Sequence, residues 1–251
     1  MGKKVRVILI TGFGINAERE LAAAFQYVGC EVTCIHMHDF IKSPESLDTV
    51  QILGFPGGFS FGDHLGSGKV LAHILKQKMQ TPLQSFVQRG GLVLGICNGF
   101  QILVKMGILP NVQGLGQQEV TLIHNETGMF IDTWVKVYFH PSNPSPWIRG
   151  LEEEWFPIRH GEGRFISGPE VTSNVLFEKN LIALTYSDTN PNGSELQIAG
   201  ITDCTGRILG MMPHPEAYLI PENHPWWPRK PLKREAGLQV FINGVDYARS
   251  L

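Results

Sequence analysis

Cysteine is scarce. Cys30, Cys34, Cys97 and Cys204 are the four in 251 residues, too few for a disulfide-stapled scaffold. Long apolar runs are absent too. No stretch approaches the roughly 20 apolar residues that a membrane-spanning helix needs, so a membrane is not an expected partner. There is no excess of either charge: 21 basic against 23 acidic residues leave a net charge of −2. With no long basic run, a nucleic-acid partner is not expected. The first apolar run, Val5 to Thr11, is too short for a signal h-region and has no small-residue cleavage site. Asn125-Glu-Thr and Asn192-Gly-Ser match the glycosylation pattern, but without a secretory signal they read as chance matches. The expected compartment is the cytoplasm. Internal repeats, low-complexity segments and linkers are also lacking.

What is there is core-forming material, since 43% of the residues are hydrophobic. Val5 to Thr11 reads as a buried strand ending in Gly12-Phe13-Gly14. A helical pattern follows from about Ala17 to Val28, with Leu21, Ala24, Phe25 and Val28 on one face, and Glu31 to His36 is the next strand. This β-α-β unit implies a parallel sheet. A third strand is expected over Thr49 to Phe55 and a helix over Val70 to Lys78. Thr81 and Pro82 then read as the start of a separate helix running to Arg89. Leu92 to Ile96 has the continuous apolar character of a strand covered on both faces, and Phe100 to Met106 is helical. Beyond Gly107 strands dominate: Glu119 to Ile123, Met129 to Phe139, Leu181 to Tyr186, Gln197 to Asp203 and Arg207 to Met212. A last helix runs from about Lys230 to Ala248. The expectation is one α/β domain over residues 1–251, with an open, mostly parallel sheet and a strand-rich second half.

The sharpest local feature is Gly95-Ile96-Cys97-Asn98-Gly99. A buried strand runs into a residue flanked by glycines and a helix follows at once, which is the layout of a nucleophile elbow with cysteine in place of serine. The tight turn strains the nucleophile's backbone, and glycines remove the side chains that would clash. At a helix N-terminus the thiolate is favoured, and the Asn98 N–H would face a developing oxyanion. A cysteine buried as a small hydrophobe would not need both glycines. A thiol nucleophile needs a base and an orienting group. Met211-Met212-Pro213-His214-Pro215-Glu216 delivers His214 to the end of an apolar strand, with Glu216 within reach of the imidazole.

Phe55-Pro56-Gly57-Gly58-Phe59-Ser60-Phe61-Gly62-Asp63 also lies at the carboxyl end of an expected strand, where open α/β sheets bind ligands. Its Gly-Gly turn can offer a second oxyanion donor near Gly58. The continuation Gly66-Ser67-Gly68-Lys69 is not a phosphate loop. Five residues, not four, separate Gly62 from Gly68, and Val70 stands where Ser or Thr would bind magnesium. His160-Gly161-Glu162-Gly163-Arg164 reads as a contact loop, because glycines admit a ligand close to the backbone. Asn190-Pro191-Asn192-Gly193-Ser194 reads equally as a hairpin turn or a contact. Cys30 and Cys34, with His36 and His38 behind them, fall on an alternating strand that turns their side chains to opposite faces, so no metal site is expected there.

On Pro56 to Asp63, Gly95 to Leu103, His160 to Arg164, Asn190 to Ser194 and Gly210 to Glu216, taken in order, the sequence resembles the class I, triad-type glutamine amidotransferases. The Cys-Asn-Gly-Phe-Gln and Met-Met-Pro-His-Pro-Glu strings narrow the resemblance to the branch of glutaminase subunits of phosphoribosylformylglycinamidine synthase. The resemblance implies a three-layer, flavodoxin-like fold and a Cys97–His214–Glu216 triad that hydrolyses L-glutamine through a thioester. It implies an oxyanion site at Gly58 and Asn98, and glutamine contacts from Phe59, Ser60, Gln101, His160, Gly161 and Glu162. It further implies a synthetase partner that uses ATP to convert formylglycinamide ribonucleotide to the amidine in purine biosynthesis, sometimes with a small bridging subunit. No metal or cofactor is implied. The family's separate subunits commonly carry an Arg after the Gly-Asp of the oxyanion loop, whereas this chain reads Asp63-His64-Leu65-Gly66-Ser67, nearer the fused form. Pro221 to Pro231 looks like an elaboration, and Met1 fits a free subunit. The rival readings are a non-catalytic paralogue, an amidotransferase serving another synthetase, and another cysteine-elbow protein of this broad fold.

Overall fold

The computed structural model describes residues 4–229 and 236–251. The parallel half of the protein comprises β1 (Arg6–Thr11), α1 (Glu18–Tyr27), β2 (Glu31–His36), α2 (Met37–Lys42), β3 (Ile52–Phe55), α3 (Lys69–Gln88), β4 (Leu92–Ile96) and α4 (Asn98–Met106). The strand-rich half follows with β5 (Val120–Ile123), β6 (Ile131–Phe139), β7 (Glu153–His160), β8 (Arg164–Ser167), α5 (Ser173–Glu178), β9 (Ile182–Tyr186), β10 (Ile198–Thr202) and β11 (Ile208–Met211), and α6 (Ala236–Arg249) closes the chain. Positions 230–235 of the expected last helix lie outside the described residues.

Among the described residues the main sheet runs β2-β1-β3-β4-β11-β10-β9-β6-β7, and β5 pairs with β8 apart from it. Strands β2 to β11 of that order are parallel, and the remaining pairings are antiparallel. Successive residues of a strand face opposite sides of a sheet. A β-carbon on Gly54 would meet Leu21 of α1, whereas one on Gly95, the register partner of Phe55, would meet Leu103 of α4. Helices α1 and α4 therefore cover opposite faces, and the architecture is three-layered. Helix α6 joins α1 through Phe241 and Phe25, whose rings meet edge-on with centroids 5.0 Å apart. Strands β3, β4 and β11 are buried along their whole length, as a sheet covered on both faces demands. Among the described residues no helix is long and apolar enough to cross a membrane.

Two sequence expectations need correction. Thr81 and Pro82 do not begin a new helix, because α3 runs unbroken from Lys69 to Gln88 with Pro82 inside it. A mid-helix proline costs about 3 kcal/mol. Leu71, Leu75, Met79, Leu83 and Phe86 nevertheless keep one apolar face buried across it, and burying such side chains is worth about 1.5–3 kcal/mol each. The second correction is β7, which the sequence did not signal. Its Pro157 argues against a central strand, but among the described residues β7 pairs only with β6 and lies at the edge of the sheet, where a missing N–H is tolerated.

Candidate active site

Register explains why the site assembles. β3, β4 and β11 are neighbours, with Phe55 paired to Gly95 and Ile96 to Met211. Each chain leaves its strand at the same edge, so Gly57 and Gly58, Cys97, and His214 emerge side by side. The Cys97 N–H donates to the Met211 carbonyl at 2.8 Å, fixing the elbow to β11. Cys97 itself has φ 52° and ψ −107°, a strained backbone for a side-chain-bearing residue. The flanking glycines are sterically required: a β-carbon on Gly95 would lie 2.9 Å from the backbone of Gly99, and one on Gly99 would lie 2.0 Å from the Phe55 carbonyl oxygen.

His214 and Glu216 are buried, and the His214 Nδ1 and Glu216 Oε1 atoms are 2.6 Å apart. A carboxylate accepts, so Nδ1 carries the proton and Nε2 is turned to the other side. Nε2 is buried without a hydrogen-bond partner among the described residues. A β-carbon on Gly57 would touch both the His214 Cε1 atom, at 3.0 Å, and the Cys97 β-carbon, at 3.5 Å, so the imidazole and the thiol flank the same glycine. Burial alone pushes the imidazole toward its neutral form, but the charges of Glu216 and Cys97 outweigh it and hold His214 at about 10. The geometry is that of a buried imidazole oriented by a carboxylate and set beside a thiol.

The Gly57–Phe61 loop is braced by the turn after β1. The N–H groups of Asn16 and Phe59 donate to Gly57 and Gly14 carbonyls at 3.3 and 2.8 Å. Neither bond uses the Gly58 N–H, and Gly58 has φ 146°. Asn98 opens α4, where an N–H has no acceptor within the helix. Gly58 and Cys97 share a cavity of about 260 Å³ with Asn16, Ala17, Glu20, Phe59, Phe130, Arg159, His214 and Glu216. The sequence reading missed Asn16, Ala17, Glu20, Phe130 and Arg159. Gly12-Phe13-Gly14 ends a parallel strand at this edge just before Asn16 and Ala17, but nothing in it points to those side chains, and Phe130, just before β6, and Arg159 of β7 come from distant segments. Strand β7 supplies the far wall, with the Cys97 Sγ atom 3.5 Å from the Arg159 carbonyl and the His214 N–H donating to Pro157 at 2.9 Å.

Of the expected glutamine contacts, Phe59 lines this cavity, while the others form a network behind it. The Asn98 side chain accepts from the Ser60 N–H at 3.2 Å and donates to Gln101 at 2.9 Å. Gln101 donates in turn to the Glu162 backbone, and the Glu162 carboxylate accepts from the Ser67 N–H at 3.0 Å. His160 is buried, its Nδ1 donating to Asn125 Oδ1 at 3.0 Å. Burial and the neighbouring His214 charge push it down to about 4, so it stays neutral. Gly163 is required beside it, since a β-carbon there would fall on the His160 ring, and Gly161 accepts from the Asn125 N–H at 2.9 Å. Asn192 of the 190–194 turn closes the same interior cluster, donating to Gly163 at 2.8 Å and to the Tyr186 hydroxyl at 3.2 Å. Away from the site, Cys30 is buried and Cys34 exposed.

The chain belongs to the glutamine amidotransferases: residues 4–248 match the CobB/CobQ-like glutamine amidotransferase domain. Within that class it is similar to subunits of one enzyme. It is 37% identical to phosphoribosylformylglycinamidine synthase subunit PurQ of Dehalococcoides mccartyi, over 99% of both chains. It is also 37% identical to the PurQ subunit of Methanococcus maripaludis, over 96% of this chain and 98% of that one. Among solved structures, a chain of PurLQS from Thermotoga maritima superimposes with a TM-score of 0.77 at 30% identity, covering 98% of this chain and 99% of the other.

Proposed function

We propose that this chain is the glutaminase subunit of phosphoribosylformylglycinamidine synthase, with Cys97, His214 and Glu216 as its catalytic triad. The observation that carries the chemistry is the His214–Glu216 contact at 2.6 Å, which leaves Nε2 beside a thiol on a strained elbow. Glutamine occupies the 260 Å³ cavity, where the opposite charges of Glu20 and Arg159 suit a zwitterionic amino acid. The Cys97 thiolate attacks the side-chain amide carbon, and the oxyanion is held by the N–H groups of Gly58 and Asn98. His214 gives its proton to the departing nitrogen, and ammonia leaves. The neutral imidazole then takes a proton from water, whose oxygen attacks the thioester. Glutamate departs and the thiolate is restored. Ammonia passes to the synthetase subunit, which with ATP converts formylglycinamide ribonucleotide to formylglycinamidine ribonucleotide. A small third subunit bridges the two, and the assembly works in the cytoplasm. The similarity to PurQ subunits over nearly the whole of both chains supports this assignment.

The test uses the reconstituted complex. A glutamine-mimicking diazoketone should label Cys97, located by mass spectrometry. Cys97→Ala should abolish glutamine-dependent synthesis and leave ammonia-dependent synthesis intact. An unlabelled Cys97, or loss of both activities, would refute the assignment.

A further inference from the structure

The loop that carries the proposed oxyanion donor combines its own turns with contacts to other elements. Phe61, Gly62, Asp63, Gly66 and Gly68 all have positive φ, at 56°, 68°, 55°, 109° and 72°, and for Phe61 and Asp63 that conformation is strained. The front of the loop is tied to the turn after β1, where the Phe61 N–H donates to the Phe13 carbonyl at 2.7 Å, and its rear is tied at Ser67. The Ser67 N–H donates to Glu162 at 3.0 Å, and its hydroxyl donates to Asp63 Oδ2 at 2.8 Å. The Ser67 carbonyl accepts from the Lys105 ammonium at 2.6 Å, and the same ammonium donates to the Leu122 carbonyl at 3.2 Å. The segment from Ser60 to Gly68 contains no Lys or Arg. The cation is supplied by α4, the helix that begins at the nucleophile.

We infer that Lys105 is a positioning residue for the glutaminase reaction: it pins the oxyanion loop at Ser67 to the nucleophile helix, with Glu162 as the opposing jaw. Three segments meet at this clamp. Glu162 belongs to the β7–β8 turn and also holds Gln101 through its backbone carbonyl. Asn98 links Gln101 to Ser60 at the front of the loop. The loop is therefore fixed at both ends to one helix, and that helix fixes Cys97 relative to Gly58. A lysine directed at solvent would gain nothing here. Lys105 is half-buried and gives its protons to two carbonyls, an arrangement that forfeits hydration for geometry. Burial pushes its ammonium down to about 8, against the attraction of Glu162 and Asp63 and with Lys69 adding to the lowering. Burial likewise raises the Asp63 carboxyl, and one of its oxygens is buried without a partner among the described residues. The clamp is a partly desolvated set of charges, and removing the Lys105 ammonium takes away the cation that offsets the repulsion between Asp63 and Glu162.

The inference rests on the glutaminase assignment, and its test separates the two. In the reconstituted complex, Lys105→Met is compared with Lys105→Arg and with wild type, in glutamine-dependent and ammonia-dependent synthesis. Loss of an oxyanion donor costs about 10²–10³ in kcat. A donor displaced rather than deleted should cost at least about tenfold. The expected result for Lys105→Met is that fall in glutamine-dependent kcat, with KM for glutamine changed less than threefold and ammonia-dependent turnover unchanged. Lys105→Arg, which keeps a cation and several donors, should recover at least half of the lost activity. A Met variant within twofold of wild type overturns the inference. So does an equal loss in the ammonia-dependent assay, or an Arg variant no better than Met. If Lys105→Met does not fold, Lys105→Gln is judged by the same criteria. Failure of that variant to fold as well would make Lys105 a stability residue and overturn the positioning role. Absence of glutamine-dependent synthesis in wild type would refute the glutaminase assignment itself.

Discussion

A β-carbon on Gly99 would stand 2.0 Å from the carbonyl oxygen of Phe55. The nucleophile helix and the strand that leads into the Gly57–Phe61 loop are thus in backbone contact, and no rotamer change can relieve the clash. Gly99→Ala must push α4 away from β3, carrying Cys97 and the Asn98 N–H with it. The expected cost is about 2–3 kcal/mol of stability and at least about a hundredfold in glutamine-dependent kcat. Urea unfolding and steady-state kinetics check the two figures. Wild-type kinetics in a destabilised variant would show that the elbow can move without loss of function.

Glu216 should set the alkaline limit of the reaction. The imidazolium of His214 persists to about 10 because the Glu216 and Cys97 charges oppose the effect of burial. Glu216→Gln keeps an acceptor near Nδ1 but removes the charge. The proton donated to leaving ammonia is then lost at lower pH. The alkaline limb of kcat in the complex should move down by about one pH unit or more, each unit corresponding to ~1.4 kcal/mol of differential interaction. An unmoved limb would assign it to another group.

The parts of the site legible in the sequence are those written within a few residues. The elbow needs Gly95 and Gly99 around Cys97, and Glu216 reaches His214 across a single proline, so strings of this length expose both. The first β-α-β unit was legible for the same reason, through the apolar spacing of Leu21, Ala24 and Phe25 on α1. Asn16, Glu20 and Arg159 were not legible, because only the folded sheet brings the turn after β1 and the edge strand β7 against Cys97. Pro157 hid β7, since whether a proline is tolerated in a strand depends on whether that strand is an edge, a tertiary fact. Lys105 hid in the same way: in sequence it is an ordinary cation near a helix C-terminus, and its burial against Ser67 exists only in the fold.

His160 should make the protein acid-sensitive. Its imidazole falls from an ordinary 6.5 to about 4 on folding, through burial and the nearby His214 charge. The unfolded chain therefore binds a proton that the folded protein refuses between these values. The stability that neutral His160 contributes is complete above 6.5 and is lost as pH falls toward 4. His214 adds no slope in that window, since its imidazole is protonated in both states below 6.5. Urea unfolding from pH 7 to 4 should show a shallower loss for His160→Asn than for wild type, even though the variant starts less stable. Parallel curves would remove His160 as the source of the sensitivity.

Pro82 gives a test of what tertiary packing overrides. It sits inside α3, where it has no N–H for the carbonyl one turn back and its ring crowds that carbonyl. Alanine restores the bond and relieves the crowding, but it also frees the unfolded chain, an opposing effect of about 0.4–1 kcal/mol. Set against a full proline penalty of about 3 kcal/mol, the net expectation for Pro82→Ala is a gain of about 2 kcal/mol or slightly more. The urea midpoint should rise at constant slope, and amide exchange around Lys78 should slow. Glutamine-dependent activity should not change, because the residues that line the Cys97 cavity belong to other elements. A neutral or destabilised variant would mean that α3 has relaxed around the proline and that its buried face is not working against a strained backbone.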